Sequence, residues 1–307
     1  MTKGSRFLLS GLLAAGLVAP RPATAAEIAL LMSSDVPAWK PAVEALRASL
    51  PGHNVTTYDL HSSRAEAERL LPTLKGGAAV VVTMGPLATQ AARDLAADTP
   101  LVYSMVNDPA TLGALEGPNV TGVAYEVPAR NQLVAFRAVN PKATRIGVVY
   151  SAASLNRQME DARRAATVMR LDLMLRQVPS LQAVPQAVRD LLGGAEPVDA
   201  IWIPPDPLMQ GEDTRRFVME AAVRAGKPVY SSSASLVREG ALVSNSPEFA
   251  SIGQSIGELV TRITHGEKAG RLGVLVPRAE LLINKRIADQ LRVSIPAEAL
   301  KAAQKVF

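Results

Sequence analysis

Short apolar runs alternate with amphipathic stretches along most of the chain. Glu27–Met32, Asn54–Tyr58, Ala78–Thr83 and Leu101–Met105 read as strands. Helices are predicted between them over Ala38–Leu50, Ser63–Lys75 and Pro86–Ala97, with stops at Pro51-Gly52 and Gly76-Gly77. Asn119–Tyr125 is a further short strand, bracketed by Gly117-Pro118 and Pro128. The pattern then restarts. Ala129–Val139, Asn156–Met169, Pro185–Gly193 and Asp213–Ala225 read as helices, separated by the strands Arg145–Tyr150, Asp172–Val178, Ala200–Ile203 and Pro228–Ser231. Glu248–Thr264 is a long helix, with Ile252, Ile256, Leu259, Val260 and Ile263 near helical spacing. Gly273–Pro277 and Glu280–Ile283 are strand-like, and Asn284–Leu291 is a final helix. Such alternation predicts an α/β fold of parallel sheets covered on both faces. Two successive arrays of similar length predict two similar lobes.

Several apolar runs end at a small polar turn that opens a helix. Val80-Val81-Val82 leads into Thr83-Met84-Gly85-Pro86, and Leu101-Val102-Tyr103 into Ser104-Met105-Val106-Asn107-Asp108. Ile146–Tyr150 leads into Ser151-Ala152-Ala153-Ser154, and Ala200–Ile203 into Pro204-Pro205-Asp206-Pro207. Buried parallel strands read as continuous apolar runs, and ligands bind beyond their carboxyl ends. Gly85 permits close backbone approach and Pro86 suits a first helical position, so this turn could receive a carboxylate or phosphate at a helix N-terminus. An ordinary cap by Thr83 explains the same residues. Ser104, Asn107 and Asp108 would lie beside that turn, although Asn107-Asp108-Pro109 is also simply a good turn. Ser151, Ser154 and Asn156 suit helix capping as well as ligand contact. Asp206, held among prolines, could pair with a ligand ammonium or serve as a turn residue. Ser33 and Ser232, each following a strand, complete the candidate set.

Composition narrows the chemistry. His53, His61 and His265 fall in loops or at helix ends, no two at metal-ligand spacing, and Gly-x-Ser-x-Gly is absent. The chain has no Cys, which removes thiol catalysis, thiolate metal sites and a lipid-bearing cysteine. No enzyme, metal or cofactor is therefore expected. Residues 1–26 have the order of an export signal: Lys3 and Arg6, an apolar stretch from Phe7 to Val18, then Ala23-Thr24-Ala25. The net charge is +5, and without Lys3, Arg6 and Arg21 it falls to +2. Bases are interspersed with acids, so nucleic acid is not an expected partner.

The ordered motifs resemble the ABC-transporter substrate-binding family of the tryptophan/tyrosine type. The resemblance is carried in the first half by Val82–Ala92, Val106–Pro109 and Pro118–Val123. In the second half it is carried by Asn140-Pro141, Ile146–Tyr150, Val198–Asp206, Gly240–Val243, Ile283-Asn284 and Ile295-Pro296. It implies a type I periplasmic-binding fold: two Rossmann-like parallel-sheet lobes joined by three crossovers. The lobes would comprise 27–125 with 247–270, and 126–246 with 271–307. The resemblance also implies closure of the lobes over a small-molecule ligand at the cleft; with the export signal, the chain is expected to be a periplasmic monomer that binds a small carboxylate-bearing, amino-acid-like solute. Its partner would be an inner-membrane ABC permease with a cytoplasmic ATPase. The carboxylate would meet Thr83, Gly85 and Pro86 with Ser104 and Asn107 nearby; Ser154, Asn156 and Asp206 would complete the clamp. Presentation of a ligand to a membrane sensor, or an enzyme on the same frame, are the alternatives. The chain departs from the family pattern at Ser151-Ala152, where Asn-Pro is usual, and at Val243–Ser246, where an aromatic or Gly-containing stretch is usual. Arg292 also replaces a usual Gly. Aromatic residues are few, and Trp39, Tyr125 and Trp202 are the candidate stacking partners.

Overall fold

The computed structural model describes residues 25–107, 109–112, 115, 117–151, 156–209 and 211–307. The export-signal reading of residues 1–26 therefore lies almost wholly outside them.

Strands β1 (Glu27–Met32), β2 (Asn54–Asp59), β3 (Val80–Met84), β4 (Leu101–Ser104), β5 (Val120–Val123) and β11 (Val274–Leu275) form one sheet in the order β11-β5-β4-β3-β1-β2. All its pairings are parallel. The second sheet contains β6 (Arg145–Ser151), β7 (Asp172–Val178), β8 (Ala200–Ile203), β9 (Val229–Ser231), β10 (Val243–Pro247), β12 (Ala279–Ile283) and β13 (Lys305–Val306). Its order is β13-β12-β10-β9-β8-β6-β7, parallel except between β10 and β12.

Helices α1 (Lys40–Ser49), α2 (Arg64–Leu74), α3 (Pro86–Ala92) and α9 (Phe249–Thr264) accompany the first sheet. The second carries α4 (Ala129–Val139), α5 (Asn156–Val168), α6 (Val184–Gly193), α7 (Glu212–Arg224), α8 (Ala234–Glu239), α10 (Lys285–Gln290) and α11 (Ala297–Ala302). The continuous apolar runs now have a physical reason. Ile28, Leu30 and Met32 enter the core under α1 and α9, whereas Ala29 and Leu31 enter the core on the opposite face. Successive side chains point to opposite sides of a strand, so a strand covered on both faces must be apolar throughout.

The chain passes between the sheets three times: after β5, after β10 and after β11. The crossing segments are bonded to one another. The Ala124 N–H donates to the Leu275 carbonyl at 2.8 Å, and the Glu248 N–H to the Arg278 carbonyl at 2.9 Å. Arg278 also reaches the Glu248 carboxylate at 3.0 Å and Gln254 Oε1 at 3.0 Å. The assignment of 271–307 to the second lobe needs correction, because β11 extends the edge offered by β5. The chain crosses only after Leu275.

The Pro86–Ala97 helix ends earlier than its pattern suggests, at Ala92, and tightens into a 3₁₀ turn over Arg93–Ala97. The sequence pattern also passes over β10, α8, α11 and β13. In β10 the polar run Ser244-Asn245-Ser246 hides a strand that is buried between β9 and β12.

Helix α9 packs closely on α1 through Gly253 and Gly257. A Cβ on Gly253 would clash with the Ala42 carbonyl and the Leu46 N–H, and one on Gly257 with the Ser49 side chain. Backbone cannot yield as a flexible side chain can. Gly253→Ala is therefore expected to cost about 3 kcal/mol of stability by urea unfolding. Gly193→Ala, where nothing lies within 4 Å of the added carbon, should be neutral within about 0.5 kcal/mol. Equal stability of the two variants would overturn this account of the α1–α9 contact.

Candidate functional site

The strand ends expected to clamp a ligand are largely bonded to one another. Ser33 Oγ accepts from the Ala88 N–H at 3.0 Å, anchoring the first turn of α3. The Thr83 and Thr89 hydroxyls share a hydrogen bond of 2.9 Å, and Thr89 Oγ1 also donates to the Gly85 carbonyl at 2.8 Å. Ser104 Oγ donates to the Thr83 carbonyl at 2.8 Å. Thr83 and Ser104 are fully buried. Gly85 has φ +94°, the region its lack of a side chain permits. A Cβ there would come within 2.6 Å of Ser33 Oγ and 2.9 Å of the Trp39 ring, so the turn ahead of Pro86 is roofed.

The second-lobe acid is equally committed. Asp206 is fully buried, and its Oδ2 accepts from the Ser151 N–H at 2.7 Å and the Ser151 hydroxyl at 2.6 Å. Its Oδ1 accepts from the Leu208 N–H at 2.8 Å. Asp206 thus ties the end of β6 to the turn after β8, and it does not line the cavity described next. Asp108 and Ser154 lie outside the described residues. Asn156 begins α5, and only its backbone is described.

A cavity of about 330 Å³ lies between the lobes, beside the crossing segments. Tyr125, Glu126 and Val127 contribute from the first crossing, Ser246 and Pro247 from the end of β10, Phe249 from the start of α9, and Ala38 and Asn107 from the first lobe. The second lobe contributes Gln132, Pro205, Ser232 to Ser235 and Arg238. Of the candidate residues, Asn107 and Ser232 reach this cavity; Ser33, Thr83, Gly85, Pro86, Ser104, Ser151 and Asp206 do not. The side chains of Ser33, Thr83, Ser104, Ser151 and Asp206 satisfy neighbouring strand ends.

The cavity has an aromatic side and two charged residues. Tyr125 and Phe249 pack with ring centroids 6.2 Å apart at 42°. Burial pushes the Tyr125 phenol above its ordinary pKa, opposed by its hydrogen bond to Trp39. Trp202, a candidate stacking partner, is instead a core residue packed edge-on to Phe136 at 5.7 Å. Its indole N–H donates to Ser232 Oγ at 3.1 Å, and Ser232 donates to Gln132 Oε1 at 2.6 Å. Gln132 in turn donates to the Val127 carbonyl at 2.8 Å, fixing α4 to the crossing segment. Glu126 accepts from Gln158 Nε2 at 2.8 Å. Glu126, Gln132, Arg238, Ser246 and Phe249 were not candidates from sequence. Applying the strand-end rule to the short strand at 229–231 would have pointed to Ser232–Arg238. Among the described residues, no group of three or more His, Asp and Glu could hold a metal, and no helix is long and apolar enough to cross a membrane.

Two facing α/β lobes, linked by three crossings with a cavity between them, define a two-lobed solute-binding frame. The chain belongs to the ABC transporter substrate binding protein family, whose model matches residues 27–307. A tyrosine-binding protein of Clostridioides difficile strain R20291 is 25% identical over 206 residues, 64% of this chain and 58% of that relative's length. An ABC domain from Streptococcus pneumonia solved in complex with L-Trp is 25% identical, with a TM-score of 0.68 covering 92% of this chain and 100% of that one. The ligand-free, open structure of a substrate-binding protein with adhesive properties from Clostridium difficile superposes with a TM-score of 0.79 at 19% identity, covering 92% and 99%. The fold is that of the type I periplasmic binding proteins.

The committed hydrogen bonds of Asp206 predict a structural effect. Asp206→Ala would leave two N–H groups and a hydroxyl without their acceptor, at a cost of about 3 kcal/mol in urea unfolding. Ser151→Ala, which removes one donor, should cost about 1 kcal/mol. A stable Asp206→Ala protein would contradict the clasp between β6 and the turn after β8.

Proposed function

We propose that this protein is the periplasmic solute-binding component of an ABC uptake system. It captures a small, carboxylate-bearing, amino-acid-like solute by closure of its lobes. The observation that carries the reading is the cavity at the crossing segments, which combines an aromatic wall with Arg238 and Glu126. A zwitterionic amino acid needs a cation for its carboxylate, an anion for its ammonium and an apolar surface for its side chain. Arg238 offers the planar donors that suit a carboxylate, Glu126 the acceptor for an ammonium, and Tyr125 with Phe249 the apolar face. The volume lies at the lower end of the roughly 300–1,000 Å³ usual for small-molecule sites.

The family membership supports the transport role. The tyrosine-binding relative and the L-Trp complex support an amino-acid-like ligand. The basic, apolar and small order of residues 1–26 supports export. Closure follows from population shift: a solute that contacts both lobes binds the closed state more tightly and draws the protein into it. The cargo would then pass to a membrane permease driven by a cytoplasmic ATPase.

A thermal-shift panel of the L-amino acids and small carboxylic acids tests this directly. A ligand present at 100 times its Kd should stabilise the protein by about 2.7 kcal/mol and raise the midpoint visibly. Arg238→Ala should weaken the best ligand by at least about 30-fold in calorimetry, the lower end of ~2–5 kcal/mol for truncating one partner of a charge pair. A flat panel would sink the proposed ligand class. Undiminished affinity in Arg238→Ala would remove that residue from the site.

A further inference from the structure

Four serines line the cavity: Ser232, Ser233, Ser235 and Ser246. Three have partners. Ser232 is held between Trp202 and Gln132, and the Ser233 and Ser235 hydroxyls share a hydrogen bond of 2.9 Å. Ser246 does not. It is 4% exposed, and its Oγ is shielded from solvent without a hydrogen-bond partner among the described residues. Buried polar atoms in this condition are uncommon and cost stability, so each needs a reason.

Its surroundings supply one. In the antiparallel pairing of β10 and β12, Ser246 stands opposite Glu280, and directly paired residues share a face. Burial raises the Glu280 carboxyl above its ordinary pKa and Glu248 adds to this, whereas Arg238 and Lys305 act in the opposite direction. Arg238 therefore lies within electrostatic reach of the strand position beside Ser246. Both residues line the same cavity.

We infer that Ser246 is a ligand contact, its hydroxyl donating to the anionic group of the solute beside the Arg238 guanidinium. This rests on the reading of the cavity as the solute site. It places the anion subsite on the second lobe, at the end of β10 and on α8. A carboxylate suits the pair, since one oxygen can meet the guanidinium and the other the hydroxyl. The first-lobe turn at Thr83–Pro86 is the weaker candidate, because its hydroxyls are committed and Trp39 covers it. Ser244 provides an internal control. It lies on the same face of β10, is fully buried and unpartnered, but does not line the cavity.

The test compares Ser246→Ala, Ser246→Thr and Ser244→Ala in the full chain, with L-tryptophan, L-tyrosine and L-tryptophanamide as probes. Each alanine variant removes an unpartnered hydroxyl and should raise the ligand-free Tm by about 2–4 °C. Only Ser246→Ala should weaken the two amino acids, by about 10-fold or more in calorimetric Kd. The loss should be smaller for the carboxamide, and Ser246→Thr should restore most of the affinity. Unchanged Kd in Ser246→Ala, or equal losses for carboxylate and carboxamide, would overturn the inference and leave the solute-binding reading standing. A wild-type protein that binds neither amino acid also overturns it, and the wider ligand panel then decides the broader reading independently.

Discussion

Polar groups at the carboxyl ends of parallel strands need partners, and this constraint shapes the cleft. Each strand end brings backbone N–H and carbonyl groups to a place where the ladder stops. In the first lobe, Ser33, Thr83, Thr89 and Ser104 satisfy one another and the turn into α3. In the second, Asp206 gathers three donors from Ser151 and Leu208. These bonds hold the two rims in shape, and a rim already in shape spends little ordering free energy on a ligand. The same bonds occupy the groups that a strand-end rule would nominate for recognition.

In the proposed reading, recognition falls to the groups that line the cavity beside the crossings. The first crossing supplies Tyr125 and Glu126 to the cavity, the end of β10 supplies Ser246, the start of α9 Phe249, and α8 Arg238. The crossings are tied to one another by the Ala124–Leu275 and Glu248–Arg278 hydrogen bonds, with the Arg278 side chain bridging Glu248 and Gln254. A cavity beside such a joint is well placed for the proposed closure. A small rotation there changes the separation of the outer rims while the joint-side wall stays nearly fixed. Contacts on that wall can thus form early, and contacts to the opposite rim form on closure. An arrangement of this kind gives a ligand the differential affinity that lobe closure requires.

Much of the fold was legible because it follows from covering sheets on both faces. The runs at Glu27–Met32, Asp172–Val178 and Ala200–Ile203 match their strands end to end. Elements that escaped the pattern did so for identifiable reasons. Helices α8 and α11 have six residues each, too few for a helical period to repeat. Strand β13 has two residues and is exposed. The candidate site was legible only as a neighbourhood. Sequence located the turns beyond the strands, but the hydrogen bonds that tie Thr83, Ser104 and Asp206 to neighbouring groups become visible only in the fold. Trp202 shows the same limit. It was a candidate stacking partner because aromatic residues are few, yet it lies within β8, packs against Phe136 in the core and sends its N–H to Ser232.

Strand β10 joins these threads. It lies between β9 and β12 with Ser244, Asn245 and Ser246 all buried, where Val or Ile would be expected from packing alone. Asn245 recovers part of the cost by donating to the Asn131 carbonyl at 3.2 Å, which binds the strand to the start of α4. The hydroxyls of Ser244 and Ser246 recover none of it among the described residues. A sequence that breaks its own strand pattern at an interior position gives up stability there, and such departures are expected where function competes with folding. The polarity that concealed β10 as a strand is thus the physical reason to include its end in the proposed recognition surface. A fully apolar β10 would fit the sheet better and leave that side of the cavity without a hydroxyl to offer.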